Sequence, residues 1–331
     1  MAALLTTAAL SLSSINLHSR FFAPIVLDSK IPNPPPSPRI LFIYIHGLDS
    51  SSTTWVPFLE HENGSSVPLH RSFPSYCVDL RGHGRSNLEP NTFSSESVAD
   101  DVLHFINSVS GDASGEGTVV QPPKPKVVLV GHSMGGRVAM LAAAKAIKAD
   151  VAPKLNFDVS ALVVEDMDIK VRPPPFNVTW GEGNFDRKFN TLEDCTKALS
   201  GAGYEESRIL SWVTDGRIRK VDWEGEGEAW WSDVNPQARQ LSYEKILNSD
   251  CGAIAIEDLR DMDFAECTTF VIAGSGKGMQ GTVCDKESLE KMRRRLRGCD
   301  FLTIEGAGHS IHKTHKGVFG EVLDGVCRGL L

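Results

Sequence analysis

The stretch LVGHSMGG, residues 129–136, places a serine hydroxyl between glycines at the end of an apolar run. Glycine loses more backbone freedom on folding than any other residue, so this cluster indicates a tight turn or a close approach of two backbones. In the pattern Gly-x-Ser-x-Gly between a strand and a helix, the serine is pushed out at the strand's carboxyl end. The sequence therefore predicts Ser133 as a nucleophile.

A serine hydroxyl needs a base, and the base needs a carboxylate that orients it. His309, in the stretch GAGHSIH, follows the last apolar run of the chain, where the base of such an arrangement is expected. His312 and His315 follow at helical spacing, but no carboxylate-rich or cysteine ligand set stands near them in the sequence. We therefore expect no metal, and we expect His312 to be structural or to lie at the rim of the site.

The elements that must position these residues alternate between apolar runs and helical patterns. Continuous apolar runs of this length are typical of strands buried on both faces of a parallel sheet. Helical spacing is seen at 94–109, 135–147 and 316–330. The pattern predicts an α/β fold with a mostly parallel central sheet flanked by helices. The six predicted strands are residues 40–45, 75–80, 126–130, 161–166, 268–274 and a segment within 300–309.

Residues 170–250 differ in texture from the rest of the chain. They are rich in proline and tryptophan, they carry few strand signals, and residues 191–204 and 206–215 have a helical pattern. We interpret them as a helical cap inserted over the sheet. At least one of Trp230 and Trp231 is expected to pack the cap onto the core. The α/β core is then residues 39–169 and 251–331.

Residues 1–38 form the third predicted part of the chain. The first acidic residue is Asp28, and the start is rich in Ala, Thr, Ser and Leu, a composition typical of organelle transit peptides. A Pro-rich stretch, residues 31–39, would link it to the fold. We predict a targeting or disordered segment, with a plastid or mitochondrion as the destination. A secretory signal, or a disordered tail on a cytoplasmic protein, is the alternative.

Composition excludes several classes of function. The 331 residues carry a formal charge of −8, which disfavours nucleic-acid binding. The seven cysteines form no CxxC pair, which indicates reduced thiols rather than a disulfide frame or structural zinc. No apolar stretch reaches the roughly 20 residues of a membrane helix. We therefore expect a small-molecule substrate, no integral membrane segment, and a monomer or weak dimer.

Four motifs together make the chain recognisable: HGLDSSSTTW at 46–55, VDLRGHGRS at 78–86, LVGHSMGG and GAGH. Across residues 40–331 the chain resembles the α/β-hydrolase superfamily. It resembles the serine esterase and lipase branch, because epoxide hydrolases and dehalogenases would carry Asp at position 133. The resemblance implies ester hydrolysis through an acyl-enzyme, without cofactor or metal. Thioester, amide or C–C cleavage, a slow-turnover ligand receptor, and a degenerate scaffold are the alternatives.

The sequence offers more than one candidate for the carboxylate that orients the histidine. In most of the superfamily it follows the strand that here reads TTFVIAG, but that loop offers no carboxylate before Asp285. Small acyl esterases and mitochondrial abhydrolase-domain lipases, which this chain also resembles, carry the acid one strand earlier, after the sixth core strand. That resemblance assigns Asp166 in the stretch LVVED, with Asp168 and Asp285 as alternatives. Glu165 should point to the opposite side of the strand.

An oxyanion hole requires two donors aimed at the developing negative charge. We expect these to be the amides of Met134, just after the nucleophile, and Leu48, after the first predicted strand. His46 and His132 are interpreted as buried, hydrogen-bonded side chains without a chemical role. Asp79 is expected to order the turn at 81–86.

Overall fold

A computed structural model describes residues 15–25, 39–61, 68–110, 123–148, 150–173, 185–223, 227–260, 267–274 and 283–331. The strands are β1 (Ser19–Phe22), β2 (Ile40–Ile45), β3 (Ser75–Val78), β4 (Lys126–His132), β5 (Asp158–Glu165), β6 (Lys188–Phe189), β7 (Ile218–Trp223), β8 (Gly227–Ser232), β9 (Thr268–Ala273) and β10 (Asp300–Ile304). The helices are α1 (Val56–Leu59), α2 (Ser95–Val109), α3 (Met134–Ala146), α4 (Leu192–Gly201), α5 (Glu206–Thr214), α6 (Pro236–Ser242), α7 (Cys251–Arg260), α8 (Lys286–Arg295), α9 (Ile311–Thr314) and α10 (Lys316–Leu330).

The central sheet has seven strands in the order β1-β3-β2-β4-β5-β9-β10. Every pair is parallel except β1 with β3. Strands β2 and β9 are buried at every position, as expected for parallel strands covered on both faces. The prediction of an α/β fold with a mostly parallel sheet is confirmed. Because the strands are parallel, the carboxyl ends of β2, β4 and β5 lie at one edge.

Helices cover both faces of this sheet. One apolar cluster packs α2, α3 and α7 against the sheet, and a second packs α10 and the segment around Trp55 against the other face. Helix α3 is lined with buried alanines, which allow its axis to approach β4 and β5 closely. The helix begins at the residue that follows Ser133, so its packing fixes the position of the turn that precedes it.

The core begins earlier than the predicted boundary at residue 38. Strand β1 pairs with β3, Ile15 and Leu17 are buried, and the amide of Asp79 donates to the carbonyl of His18 at 2.8 Å. Residues 15–25 therefore belong to the core, which corrects the assignment of all 38 residues to a leading segment. The pairing of β1 with β3 joins segments about sixty residues apart, so a local sequence pattern does not predict it. Residues 1–14 and the linker 31–38 lie outside the described residues, and organelle targeting stays a prediction.

The inserted cap differs from the prediction in two ways: it is not purely helical, and it ends before residue 250. It contains helices α4 and α5, as predicted, but also an antiparallel sheet in the order β6-β8-β7. The cap has an apolar cluster of its own, which includes Leu199, Trp212 and Val234. From α6 onward the chain returns to the main core, where Ile246 and Leu247 are buried. The strands were missed because charged and aromatic residues replace the apolar runs that mark the central strands.

The two neighbouring tryptophans of the cap have different environments. Trp230 packs against the cap's own cluster rather than onto the core. The indole nitrogen of Trp231 donates to Asp233 at 3.0 Å, and the Arg187 guanidinium lies over its ring. Arg187 also donates to carbonyls of the 81–86 turn, so Trp231 is the one linked to the core.

All seven cysteines lie in the described part of the chain and none forms a disulfide. Burial raises the pKa of most of them, for example that of the Cys195 thiol to about 12. The prediction of reduced thiols agrees with this arrangement. Within the described ranges, no helix is both long enough and apolar enough to span a bilayer.

Candidate active site

Ser133 lies in the sharp turn between β4 and α3. Its backbone has φ 54° and ψ −126°, a region that residues with a side chain rarely adopt. A Cβ on Gly131 would lie 2.4 Å from the carbonyl oxygen of Gly135, and one on Gly135 would lie 2.4 Å from that of His46. The glycines are therefore required by close backbone approach. The half-buried serine stands at the carboxyl edge of the sheet, as the motif predicts.

His309 and Asp166 form a hydrogen-bonded pair at the same edge. Nδ1 of His309 donates to Oδ2 of Asp166 at 2.7 Å. Asp166 follows β5 with φ 43° and also accepts the backbone amides of Ala273 at 3.2 Å and Val283 at 3.1 Å. Burial raises the pKa of Asp166, but the hydrogen bond and charge of His309 and the two amides outweigh it, so the pKa is lowered. The carboxyl group is thus held as its anion.

The Asp166 contact determines which nitrogen of His309 can act as a base. With the proton on Nδ1, the neutral ring carries a lone pair on Nε2. His132, next to Ser133, donates from Nε2 to the carbonyl of His309 at 3.0 Å, and the two rings are 4.6 Å apart. Within the described contacts no hydrogen bond joins Ser133 Oγ to His309; such contacts often tighten only when substrate binds.

The two alternative acids have other partners. Asp168 accepts the amides of Lys170 at 2.9 Å and Asp285 at 2.7 Å, and it pairs with Arg172 at 2.6 Å. Asp285 caps α8 through the amide of Ser288 at 3.1 Å. Of the three carboxylates considered from the sequence, the structure brings only Asp166 to His309.

The loop after β2 runs beside the serine. A Cβ on Gly47 would lie 3.0 Å from the Cβ of Ser133. His46 holds this loop, because its Nδ1 donates to the carbonyl of Gly47 at 2.7 Å and its Nε2 accepts the amide of Leu80 at 3.1 Å. The prediction of a buried, hydrogen-bonded His46 is confirmed. Of the two predicted oxyanion donors, Met134 directly follows Ser133 as the first residue of α3, and Leu48 follows Gly47 in the loop beside it.

Asp79 holds the loop after β2 through hydrogen bonds, as expected for a residue that orders a turn. It accepts the amides of Ser52 at 2.6 Å and Arg85 at 3.0 Å, and the Nδ1 proton of His18 at 2.7 Å. Burial raises the pKa of Asp79, but these hydrogen bonds and the nearby His46 outweigh it and lower the pKa. The segment around β1, which the sequence reading left out of the core, therefore contributes a side chain to the support of the site.

A second histidine–carboxylate pair lies behind the first and was missed from the sequence. Glu165, the last residue of β5, accepts the backbone amide of His312 at 2.9 Å and its Nδ1 proton at 2.8 Å. The hydroxyl of Thr54 donates to Nε2 of His312 at 3.2 Å, and the Trp55 ring packs at 4.3 Å. Burial raises the pKa of Glu165 and lowers that of His312. The pair anchors the start of α9, three residues after His309.

Glu165 also belongs to the one group of possible metal ligands found in the described ranges. The ligand atoms of His132, Glu165 and His312 lie within 4.8 Å of one another, all buried. Hydrogen bonds within the protein already occupy both nitrogens of His312 and its Glu165 partner. In the described ranges His309, His312 and His315 are not brought together as a ligand group, and Nδ1 of His315 contacts its neighbour Thr314. We interpret Glu165 and His312 as a hydrogen-bonded structural pair, with the His132 ring packed 5.0 Å from that of His312.

Curated proteins match about a third of the chain. An alignment over 105 residues is 29% identical to the 2-(acetamidomethylene)succinate hydrolase of Mesorhizobium japonicum, covering 32% of this chain and 31% of that protein. An alignment of the same length is 29% identical to protein phosphatase methylesterase 1 of Mus musculus, covering 31% of this chain and 23% of that protein. The matches span about a third or less of these relatives' own length.

Solved structures match nearly the whole chain. A marine microorganism esterase aligns with a TM-score of 0.58 at 20% identity, covering 94% of this chain and 98% of the other. An E-2-(acetamidomethylene)succinate hydrolase aligns with a TM-score of 0.55 at 20% identity, covering 95% and 96%. At these identities the likeness shows the fold. The sequence matches the alpha/beta hydrolase family over residues 40–321. The chain belongs to the α/β-hydrolase family.

Proposed function

We propose that the protein is a serine hydrolase that cleaves carboxylic esters of small or lipid-like acyl substrates. Ser133 is the nucleophile, His309 the general base and Asp166 the orienting acid. The observation that carries the proposal is the 2.7 Å hydrogen bond from His309 to Asp166, beside a serine in a strained strand-to-helix turn. That is the constellation required for acyl transfer.

The proposed reaction proceeds in two acyl transfers. Nε2 of His309 takes the hydroxyl proton of Ser133 as Oγ attacks the ester carbonyl. The oxyanion accepts hydrogen bonds from the amides of Leu48 and Met134, where the N-terminus of α3 adds positive potential. His309 then protonates the leaving alcohol, and an acyl-enzyme remains. Water, deprotonated by the same histidine, attacks the acyl carbonyl and regenerates Ser133.

Asp166 contributes electrostatically in both transfers. When His309 takes a proton its ring becomes cationic, and a neighbouring carboxylate stabilises that charge. Two backbone amides and the His309 contact keep Asp166 anionic despite complete burial of its side chain. They also hold it in place, so the imidazole is presented to Ser133 in one tautomer.

Amide or methyl-ester cleavage is the second candidate. The same triad serves both bonds, and the curated relatives include a 2-(acetamidomethylene)succinate hydrolase and a protein phosphatase methylesterase. The leaving group differs between these reactions, while the roles of Ser133, His309 and Asp166 do not.

The first experiment measures hydrolysis of p-nitrophenyl esters from acetate to decanoate. We expect Ser133→Ala to reduce kcat/KM by about a thousandfold or more, because the nucleophile is lost. Ser160→Ala is the matched control. It is the same substitution near the start of β5, toward the opposite edge of the sheet, and it should leave kcat/KM within about twofold.

Two results would contradict the proposal. Folded wild-type protein that turns over no ester would favour an amide substrate or a ligand receptor. Activity retained in Ser133→Ala would place the nucleophile elsewhere.

A further inference from the structure

Positive side chains of the cap and of α6 surround the residue that follows the proposed oxyanion donor. Asp49, next to Leu48, is buried with φ 52°. Its carboxylate pairs with Arg239 of α6 and, at 3.4 Å, with Arg208, while Arg217 donates to its backbone carbonyl at 2.8 Å. Three guanidinium groups therefore contact the loop after β2.

Arg239 has donor capacity that the protein does not use. Its side chain is 5% exposed and lies against the rings of Tyr204 and Tyr243. Its Nε has no hydrogen-bond partner. Buried donors without an acceptor are rare and costly, so this nitrogen is a donor that the chain itself leaves unused.

A fourth cation approaches from the helix that follows the proposed base. Lys313, in α9, lies 3.9 Å from Asp215, and Arg217 lies 3.2 Å from the same carboxylate. Burial and the positive charge of Arg217 lower the pKa of Lys313. Lys313 of α9 and Arg217 of the cap therefore share one carboxylate, which is itself 42% exposed.

The charges of this group do not balance. Among the described side chains, the four cations form ion pairs with two carboxylates, Asp49 and Asp215, while Asp233 and Glu165 also act electrostatically on Arg217 and Lys313. Those two carboxylates have partners of their own, since Asp233 pairs with Arg219 at 2.7 Å and Glu165 with His312 at 2.8 Å. Clefts with an excess of one sign raise the local concentration of ligands of the other sign. The four cations are Arg208, Arg217, Arg239 and Lys313.

We propose that this cationic cluster binds a carboxylate of the substrate, so that the preferred substrates are acyl compounds carrying a negative charge near the scissile bond. The inference rests on the proposed hydrolase function and names its substrate class. Arg208 is the most accessible member, since it is 46% exposed and its contact with Asp49 is long. Guanidinium groups suit this task because they present paired donors to a carboxylate.

The test compares two esters of equal chain length, p-nitrophenyl butyrate and the p-nitrophenyl monoester of succinate. We expect wild-type kcat/KM to favour the succinate ester by about tenfold or more at low salt, the scale of one charge-assisted contact. The preference should decline as NaCl is added, because salt screens partly exposed charges.

The variant Arg208→Gln should lower the succinate-to-butyrate ratio by about tenfold. Lys220→Gln is the matched control, since it removes one cation from an exposed pair with Glu228 elsewhere on the cap, and it should leave the ratio unchanged. A wild-type preference for butyrate, or equal ratios in the two variants, would overturn the carboxylate site.

Failure of the proposed function gives a different result. If neither ester is hydrolysed, calorimetric titration with succinate and with its diamide, succinamide, still tests the cluster. Binding of succinate alone, weakened in Arg208→Gln, would support the carboxylate site without ester hydrolysis. No binding of succinate to wild-type protein would overturn it.

Discussion

Two histidine–carboxylate pairs lie side by side at the carboxyl end of β5, built from the neighbouring acids Glu165 and Asp166. Their hydrogen bonds are almost the same length, 2.8 Å from His312 to Glu165 and 2.7 Å from His309 to Asp166. The environments differ. The His309 side chain is 13% exposed, whereas His312 and Glu165 are fully buried.

The comparison shows that a hydrogen bond to a carboxyl group is not enough to make a histidine a general base. Both nitrogens of His312 are occupied, one by Glu165 and the other by Thr54, so the ring has no free lone pair. Burial also lowers the pKa of His312 and raises that of Glu165, which favours an uncharged pair. His309 has one nitrogen bound to an anionic carboxylate, and this polarises its ring for proton transfer.

The largest expected effect separates the two histidines. His309→Gln should lower kcat/KM for p-nitrophenyl esters by about 10⁴-fold, because no other group accepts the serine proton. His312→Gln should retain activity within about tenfold when assayed below its melting temperature, because it touches no reacting atom. Steady-state kinetics on both variants makes the comparison. Equal losses in two folded variants would contradict the distinction drawn between the pairs.

The next effect separates the candidate acids. Asp166→Asn should lower kcat by about a thousandfold, because the amide neither fixes the His309 tautomer nor stabilises its charge. Asp285→Asn should change kcat less than about threefold, since Asp285 caps α8 and pairs with Lys170 at 2.9 Å. Parallel assays with circular dichroism as a check of folding decide between them. The reverse order would return the acid to the loop after β9.

A smaller effect is expected in stability. Glu165→Gln disturbs two buried hydrogen bonds to His312 and should lower the free energy of unfolding by about 2 kcal/mol. Glu287→Gln, on the exposed face of α8, is the control and should change it by less than about 0.5 kcal/mol. Urea denaturation at neutral pH measures both. If Glu165→Gln is as stable as the control, the pair does not anchor α9.

The smallest effect is a pH dependence. Burial lowers the pKa of His46, His70, His132 and His312, and that of His83 to about 3. In the unfolded chain these rings titrate near pH 6.5, so below that pH the unfolded state binds more protons than the folded state. The free energy of unfolding therefore decreases as the pH is lowered. The raised pKa values of Glu165 and Asp101 act with the opposite sign above the ordinary values of these carboxyls. We expect five rings to outweigh two carboxyls.

Urea midpoints at pH 7.5 and 5.0 check this expectation. The midpoint should be lower at pH 5.0, and His312→Gln should reduce the difference between the two values. His61→Gln, at an exposed position, should leave the difference unchanged. An unchanged difference in His312→Gln would show that its ring does not titrate differently on unfolding.

The parts of the site that the sequence predicts are those encoded by short motifs. The glycines around Ser133 predict its position. They are required because the backbone of this turn packs closely against itself and against the end of β2. The central strands are recognised because burial on both faces requires unbroken apolar runs. The choice of Asp166 as the triad acid required the family resemblance as well, because three aspartates follow the two strands that can carry this acid. The structure distinguishes them through a contact with His309, 143 residues away.

The parts that the sequence did not predict depend on distant partners. Strand β1 is held by pairing with β3, and the contact of the preceding His18 with Asp79 spans 61 residues. Glu165 and His312 are 147 residues apart, and the motifs in which they lie do not indicate that they pair. The cap sheet is half exposed, so its strands carry charged residues and tryptophans instead of apolar runs. Their apolar patterns alone do not distinguish them from loops.

The most direct test of the proposed Ser133–His309 pair is covalent labelling of the nucleophile. Wild-type protein is incubated with a fluorophosphonate, and the modified peptide is identified by mass spectrometry. We expect a single adduct at Ser133, absent from Ser133→Ala and formed far more slowly in His309→Gln, with Ser160→Ala labelled like wild type. No adduct in folded wild-type protein, or an adduct on another serine, would contradict the proposal that Ser133 and His309 act as a catalytic pair.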